Sequence, residues 1–167
     1  MTARDTIIDR VCIYYGSQTG NAEEIATQLY GELFDETNSS IHVTCEKLNS
    51  VSIDSMATLW NNASTLVTIV CSTTGNGDFP DNAEKFWRNI KKRTIANDFL
   101  HNTRFALLSL GDTNYDKFCN SGKRIHKRMI ELGATSILAN ACADEATGLE
   151  EVVEPWMNTI IEKLTTN

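Results

Sequence analysis

Residues 11–22 read Val11-Cys12-Ile13-Tyr14-Tyr15-Gly16-Ser17-Gln18-Thr19-Gly20-Asn21-Ala22. An apolar, β-prone run stops at Gly16. A loop of small hydroxyl, amide and glycine residues spans Ser17 to Asn21, and a helical pattern starts at Ala22. A strand that feeds such a loop at a helix N-terminus makes an anion site, because unpaired backbone N–H groups and the positive end of the helix dipole converge there. The loop has no lysine, so it is not the Gly-Lys-Ser/Thr loop that holds a triphosphate with Mg²⁺. The hydroxyls of Ser17 and Thr19, with backbone N–H groups, suit a single terminal phosphate. The same letters also describe an ordinary strand–turn–helix junction with Thr19 as its N-cap.

Outward from this segment, apolar β-rich runs alternate with helical patterns. The pattern predicts strands near 10–15, 42–48, 65–72, 104–110 and 136–142, and helices near 22–35, 55–60, 82–93, 121–132 and 149–164. Runs 65–72 and 104–110 are almost continuously apolar, as expected of parallel strands covered by helices on both faces. Five such units predict an α/β fold with a doubly wound, five-stranded parallel sheet. The 167 residues fit one domain, 1–167, with 1–8 as a loose N-terminus. A net charge of −7 argues against nucleic acid as a partner. No apolar run approaches the roughly 20 residues that span a bilayer, so no membrane partner is expected. The five cysteines are widely spaced with no Cys-x-x-Cys, and read as reduced thiols of a cytoplasmic protein.

In a doubly wound sheet, ligands bind beyond the carboxyl ends of the strands. That gathers loops 16–21, 72–82 and 111–120. The second reads Ser72-Thr73-Thr74-Gly75-Asn76-Gly77-Asp78-Phe79-Pro80-Asp81-Asn82. Its two glycines permit close approach to a flat ligand, and Asp81 or Asn82 can cap the next helix. In the third, Tyr115 is an aromatic among polar residues, either stacked on a ring ligand or packed as a loop anchor on protein. Phe118 reads as core.

These motifs resemble the flavodoxin-like FMN-binding domain of diflavin reductases. The match rests on Ser17-Gln18-Thr19-Gly20-Asn21-Ala22, on Ser72 to Asp78, and on Leu110-Gly111-Asp112-Thr113-Asn114-Tyr115-Asp116-Lys117-Phe118. Within that family, Phe118-Cys119-Asn120-Ser121-Gly122-Lys123 and Gly148 to Trp156 are similar to the methionine synthase reductase branch. Thr73-Thr74-Gly75 and Phe86-Trp87-Arg88 also suit the diflavin reductases of cytosolic iron–sulfur assembly. Cytochrome P450 reductases differ, carrying tyrosine where this chain has Thr74 and asparagine where it has Cys119.

The resemblance implies a flavodoxin-like sheet of order 2-1-3-4-5 and FMN as cofactor. It gives Ser17, Gln18, Thr19, Gly20, Asn21 and Ala22 the phosphate. It lays Ser72, Thr73, Thr74, Gly75, Asn76 and Gly77 along one face of the ring, with the Gly75 carbonyl near flavin N5. Tyr115 would stack on the outer ring face, with Leu110, Gly111, Asp112, Phe118 and Cys119 around it, and Asp144 and Glu145 would close the rim. With Thr74 the inner face lacks an aromatic, which implies FMN held about 1 kcal/mol more weakly than in P450 reductases. NADPH and FAD would sit on a separate reductase domain, which passes electrons singly to this one. The acceptor implied is cobalamin-bound methionine synthase, and the domain itself is expected to be a monomer. A free-standing flavodoxin shuttle, or a flavin-free module of the same fold, would share many of these residues.

Charge is patterned as well. Residues 129–162 hold seven carboxylates and no lysine or arginine, whereas residues 117–128 hold five bases and no acid. Such blocks either steer a charged partner or are solvated helix faces.

Overall fold

The computed structural model describes residues 6–166. Strands β1 (Arg10–Gly16), β2 (His42–Lys47), β3 (Thr65–Ser72), β4 (Arg104–Gly111), β5 (Thr135–Ser136) and β6 (Ala141–Asp144) form one parallel sheet. Its order is β2-β1-β3-β4-β5, with β6 also on β4. Helices α1 (Asn21–Glu36), α3 (Asp81–Ile90), α4 (Asn120–Glu131) and α5 (Glu150–Thr165) fill the crossovers. After β2 come a 3₁₀ turn, Leu48–Ser50, and a one-turn α2 (Ile53–Ser55) that runs into a π turn, Met56–Trp60.

Side-chain alternation along each strand splits the core in two. Val11, Ile13, Leu66 and Leu108 point to α1 and α5, where they meet Leu29, Leu33 and Trp156. Cys12, Tyr14, Ile69 and Phe105 point to α3, α4 and the 48–60 segment, where they meet Phe86, Ile125 and Trp60. Every residue of β3 is buried, because it lies centrally with helices on both sides; this is why its sequence shows no polar alternation. Helix α4 packs directly on β4 at Gly122, where an added Cβ would lie 1.8 Å from Ser109 Oγ.

Three elements depart from the sequence pattern. The fifth strand, expected as one run over 136–142, is two short strands with a bulged segment between them. Two residues of β4 separate Phe105 from Leu108, whereas four separate their partners Ser136 and Ala141. Ile137 and Leu138 supplied the apolar letters of that run, and they pack against the α1/α5 core instead of extending the ladder. Helix α3 ends at Ile90 rather than 93, and the helix expected over 55–60 is mostly the π turn. Asp81 and Asn82 do not cap α3: Pro80 is the N-cap, without a side-chain hydrogen bond.

Of the eight N-terminal residues expected to be loose, 1–5 lie outside the described residues. Ile8 packs against the α1/α5 core, and the Arg104 guanidinium donates to the Thr6 carbonyl at 3.0 Å. Among the described residues, no helix is long and apolar enough to cross a membrane.

Candidate functional site

The strand order brings loops 16–21, 72–82 and 111–120 to one edge, at the carboxyl ends of β1, β3 and β4. They enclose a cleft of about 270 Å³, lined by Gln18, Thr19, Ser72, Thr73, Thr74, Gly75, Gly111, Asp112, Tyr115, Lys117 and Glu145. Asn76 lines an adjoining recess with Tyr115 and Lys117.

The first loop is fixed from the second. Ser17 N–H donates to Asn82 Oδ1 at 2.8 Å, and Gln18 and Asp81 exchange two contacts, the firmer one from Asp81 N–H to Gln18 Oε1 at 3.1 Å. Ser17 Oγ accepts from Gly20 N–H at 2.9 Å, closing the turn. The N-cap of α1 is Gly20, at φ +104°, rather than Thr19, and no side chain caps the helix. Among the described residues, the N–H groups of Thr19, Asn21, Ala22 and Glu23 therefore have no protein acceptor. This is the donor set that an anion requires at a helix N-terminus.

The second loop is a tight hairpin. Thr74 and Asp78 bond to each other through both backbone groups, with Gly75 at φ +50° and Gly77 at φ +91°. A Cβ on Gly77 would fall within 3 Å of Lys117 and Asn120, so only glycine fits under the third loop. Behind the hairpin, Ser121 Oγ donates to the Ser72 carbonyl at 2.6 Å and lies 2.9 Å from Thr73 Oγ1. Ser72 Oγ is buried with no partner. A buried hydroxyl without a partner is costly, and a polar ligand atom in the cleft would satisfy it.

The third loop presents Tyr115 at 62% exposure, which excludes the reading of that ring as an anchor packed on protein. Its rim is held by Asp144, whose carboxylate accepts from Thr113 Oγ1 (2.6 Å), Thr113 N–H (3.1 Å) and Ala146 N–H (2.9 Å). The Thr113 bonds hold that carboxyl below the usual carboxylate range. Glu145 is tied at its N–H to the Gly111 carbonyl and at its side chain to the Asn21 amide, which joins the rim to the first loop.

The remaining expected residues stand back from the cleft surface. Ser17, Gly20, Asn21 and Ala22 shape the anion cradle at its end, and Gly77 and Asp144 brace the loops. Leu110 and Cys119 are fully buried, and Phe118 is half-buried under the Lys123 ammonium. Lys117 lines the cleft without having been singled out for it. Its signal was a cation two residues from Tyr115, in the loop expected to stack a ring ligand. The donor cradle, the unpartnered Ser72 hydroxyl, the glycine hairpin and the bare aromatic together fit a phosphate-tailed planar ring.

The flavodoxin family profile matches residues 13–156. The chain is 42% identical over 149 residues to methionine synthase reductase of Bos taurus, covering 89% of this chain and 20% of that protein. It is 38% identical over 154 residues to NADPH-dependent diflavin oxidoreductase 1 of Xenopus laevis, covering 91% of this chain and 24% of that protein. Thus it spans a quarter or less of the length of these relatives. Among solved structures, a cysteine-to-alanine variant of the flavodoxin from Pseudomonas aeruginosa superposes with a TM-score of 0.72 at 25% identity, covering 93% of this chain and 98% of that one.

Proposed function

Because the chain belongs to the flavodoxin family, we propose that it is the FMN-carrying electron-transfer domain of an NADPH-dependent diflavin reductase that reactivates cobalamin-bound methionine synthase. The observation that carries this reading is the meeting of three loops around one cleft, with Tyr115 bare on its wall and unpaired N–H groups at its end. Bound FMN would supply one-electron redox chemistry in this cleft.

The chain's own residues bind, orient and shield. Residues Ser17 to Ala22 hold the phosphate through the α1 N-terminus. Residues Ser72 to Gly77 and Tyr115 grip the ring from two sides, while Leu110 to Asp112, Phe118 and Cys119 support the outer wall. Asp144 and Glu145 close the rim. Asp112 and Glu145 face the cleft, outnumbering Lys117 there, and their negative charge would disfavour extra negative charge on a ring held in it. The FAD and NADPH sites belong to a reductase domain outside this chain, consistent with the small share of its relatives that it spans. Residues 1–167 act as one monomeric domain, in the cytoplasm.

The test is a visible spectrum and a titration. The purified chain with FMN should show bound-flavin bands and quenched flavin fluorescence. It should bind FMN about tenfold or more tightly than riboflavin, the worth of one to two charge-assisted hydrogen bonds to phosphate. A chain that stays colourless with added FMN defeats the reading. Thr74→Tyr should tighten FMN by about 1 kcal/mol by adding a stacking surface. A second acceptor class, iron–sulfur assembly factors, is the one implied by the resemblance that Thr73-Thr74-Gly75 and Phe86-Trp87-Arg88 carry. Rates of electron delivery to methionine synthase and to those factors decide between the two.

A further inference from the structure

We propose that Cys119 and Cys142 are a redox-active thiol pair that closes reversibly into a disulfide, fastening the third loop to β6.

All five cysteines are free thiols. Three of them sit in β1, β2 and β3, where burial pushes Cys12 up, Cys45 up to about 11 and Cys71 up to about 12. The other two come together from different elements. Cys119 immediately precedes α4, with its Sγ 3.9 Å from the carbonyl oxygen of Ala143, the residue that follows Cys142. Cys142 pairs in register with Ser109, whose side chain faces the first turn of α4 at Gly122. Cys119 also packs on Gly111, two residues beyond Ser109 on the same face of β4, where an added Cβ would lie 2.6 Å from the Cys119 nitrogen. The two thiols thus share the space between the β4/β6 pair and the α4 N-terminus.

Their environments are unequal in the way such a pair requires. Cys142 is half-buried and reachable by a reagent, whereas Cys119 is fully buried behind it. The neighbouring Cys119 side chain, reinforced by the Lys123 ammonium, lowers the Cys142 thiol, while Cys119 is raised. Among the described residues, Cys119 is also one of three non-glycine residues with positive φ, at +55°, and its side chain makes no capping bond to α4. Asparagine or glycine would hold that conformation at lower cost. The strain places the thiol against β6 instead of on the helix end.

The step is thiol–disulfide exchange with a low-molecular-weight disulfide such as glutathione disulfide. Cys142 thiolate attacks one sulfur, forming a mixed disulfide and releasing one glutathione thiolate. Cys119 then gives up its proton and attacks the Cys142 sulfur, releasing the second glutathione. Two protein thiols are oxidised and one glutathione disulfide is reduced to two thiols. Closure would tether residues 111–120, Tyr115 included, to the strand that leads into Asp144 and Glu145.

The test is intact-mass analysis and peptide mapping of the reduced chain after exposure to glutathione disulfide, without reference to flavin. The expected product has lost two hydrogens, yields a linked peptide containing Cys119 and Cys142, and reverts with dithiothreitol. Cys119→Ser should instead retain one glutathione on Cys142, and Cys142→Ser should take up none at Cys119. A stable glutathione adduct on the unmutated chain, no reaction at all, or a linkage through Cys12, Cys45 or Cys71 would overturn the proposal.

Discussion

On one side of the sheet, α1 carries five carboxylates and no base, and α5 four carboxylates against Lys163. On the other, α4 carries four bases against Glu131, and the turn after α3 adds Lys91, Lys92 and Arg93. The helix layers stand about 10 Å from the sheet on each side, so the faces lie farther apart than the Debye length of about 8 Å at physiological salt. A partner approaching either face meets that face, and the net charge of −7 describes neither. Among the described residues the single ion pair is Arg128–Glu131, at 3.2 Å, which leaves the other charges without an ionic partner. Arg124 lies over the stacked rings of Phe79 and Trp87, beside the glycine hairpin, and so anchors the basic face close to the cleft.

Beneath the charges, each face buries a tryptophan in a different way. Trp60, on the α3/α4 side, is fully buried, donates from Nε1 to the Tyr14 hydroxyl at 3.2 Å and packs on Phe86. Trp156, on the α1/α5 side, is 5% exposed, and its Nε1 has no partner. The largest expected effect is therefore from Trp60→Ala, a loss of about 3–5 kcal/mol in urea unfolding. A sharper form of the comparison replaces each tryptophan by phenylalanine. Trp60→Phe strands the Tyr14 hydroxyl and should cost about 1–3 kcal/mol more than Trp156→Phe, which removes an unsatisfied donor. Equal costs would show that the two faces are held by apolar area alone. Next in size is Gly122→Ala, which forces α4 off β4 at Ser109 and should cost about 1–3 kcal/mol.

How far the sequence could be read follows the same physics. Run 65–72 was legible because both its faces are buried, and such a strand shows it in every residue. From the alternation came the doubly wound parallel sheet and the meeting of three loops at one edge, whereas the strand order came from the family resemblance. The split fifth strand was illegible because Ile137 and Leu138 are apolar for helix packing, and a letter does not say which neighbour it packs against. Asn82 looked like a helix cap, yet it holds Ser17 across 65 residues; only the folded sheet makes those two neighbours. Tyr115 showed itself as an aromatic among polar residues, but its exposure on the cleft needed coordinates. The thiol pair was hidden similarly, since Cys119 and Cys142 are brought together by β4 pairing and by the turn into α4.

The charge comparison has a direct test with small redox reagents and the FMN-loaded, reduced chain. Reversing Glu150, Glu151 and Glu154 to lysine should speed electron transfer to anionic ferricyanide at low salt by roughly tenfold and slow transfer to cationic hexaammineruthenium. Reversing Lys123, Arg124 and Lys127 to glutamate should do the opposite. Both effects should fade in high salt as screening shortens the reach of each face. Stopped-flow rates that change by equal and opposite amounts in the two triple variants would mean that the reagents sense only net charge, whereas unequal changes would show which face they meet.

The smallest effect concerns the rim, where the acidic side meets the cleft. Thr113 gives Asp144 both its hydroxyl and its N–H, and these bonds stabilise the ionised carboxylate. A carboxyl whose folded value lies below its unfolded one contributes stability that is complete above the unfolded value. That contribution is lost as pH falls through the lowered folded value. The clamp is thus intact at neutral pH and opens only in acid. Thr113→Val removes the hydroxyl donor and keeps both backbone donors, the N–H at position 113 and that of Ala146. The Asp144 carboxyl resonance should then titrate closer to the ordinary carboxylate range in a ¹³C NMR pH series, with neutral-pH unfolding unchanged. If the resonance titrates as before, the backbone donors alone hold the charge, and the rim on the acidic side is set by loop geometry and not by the threonine.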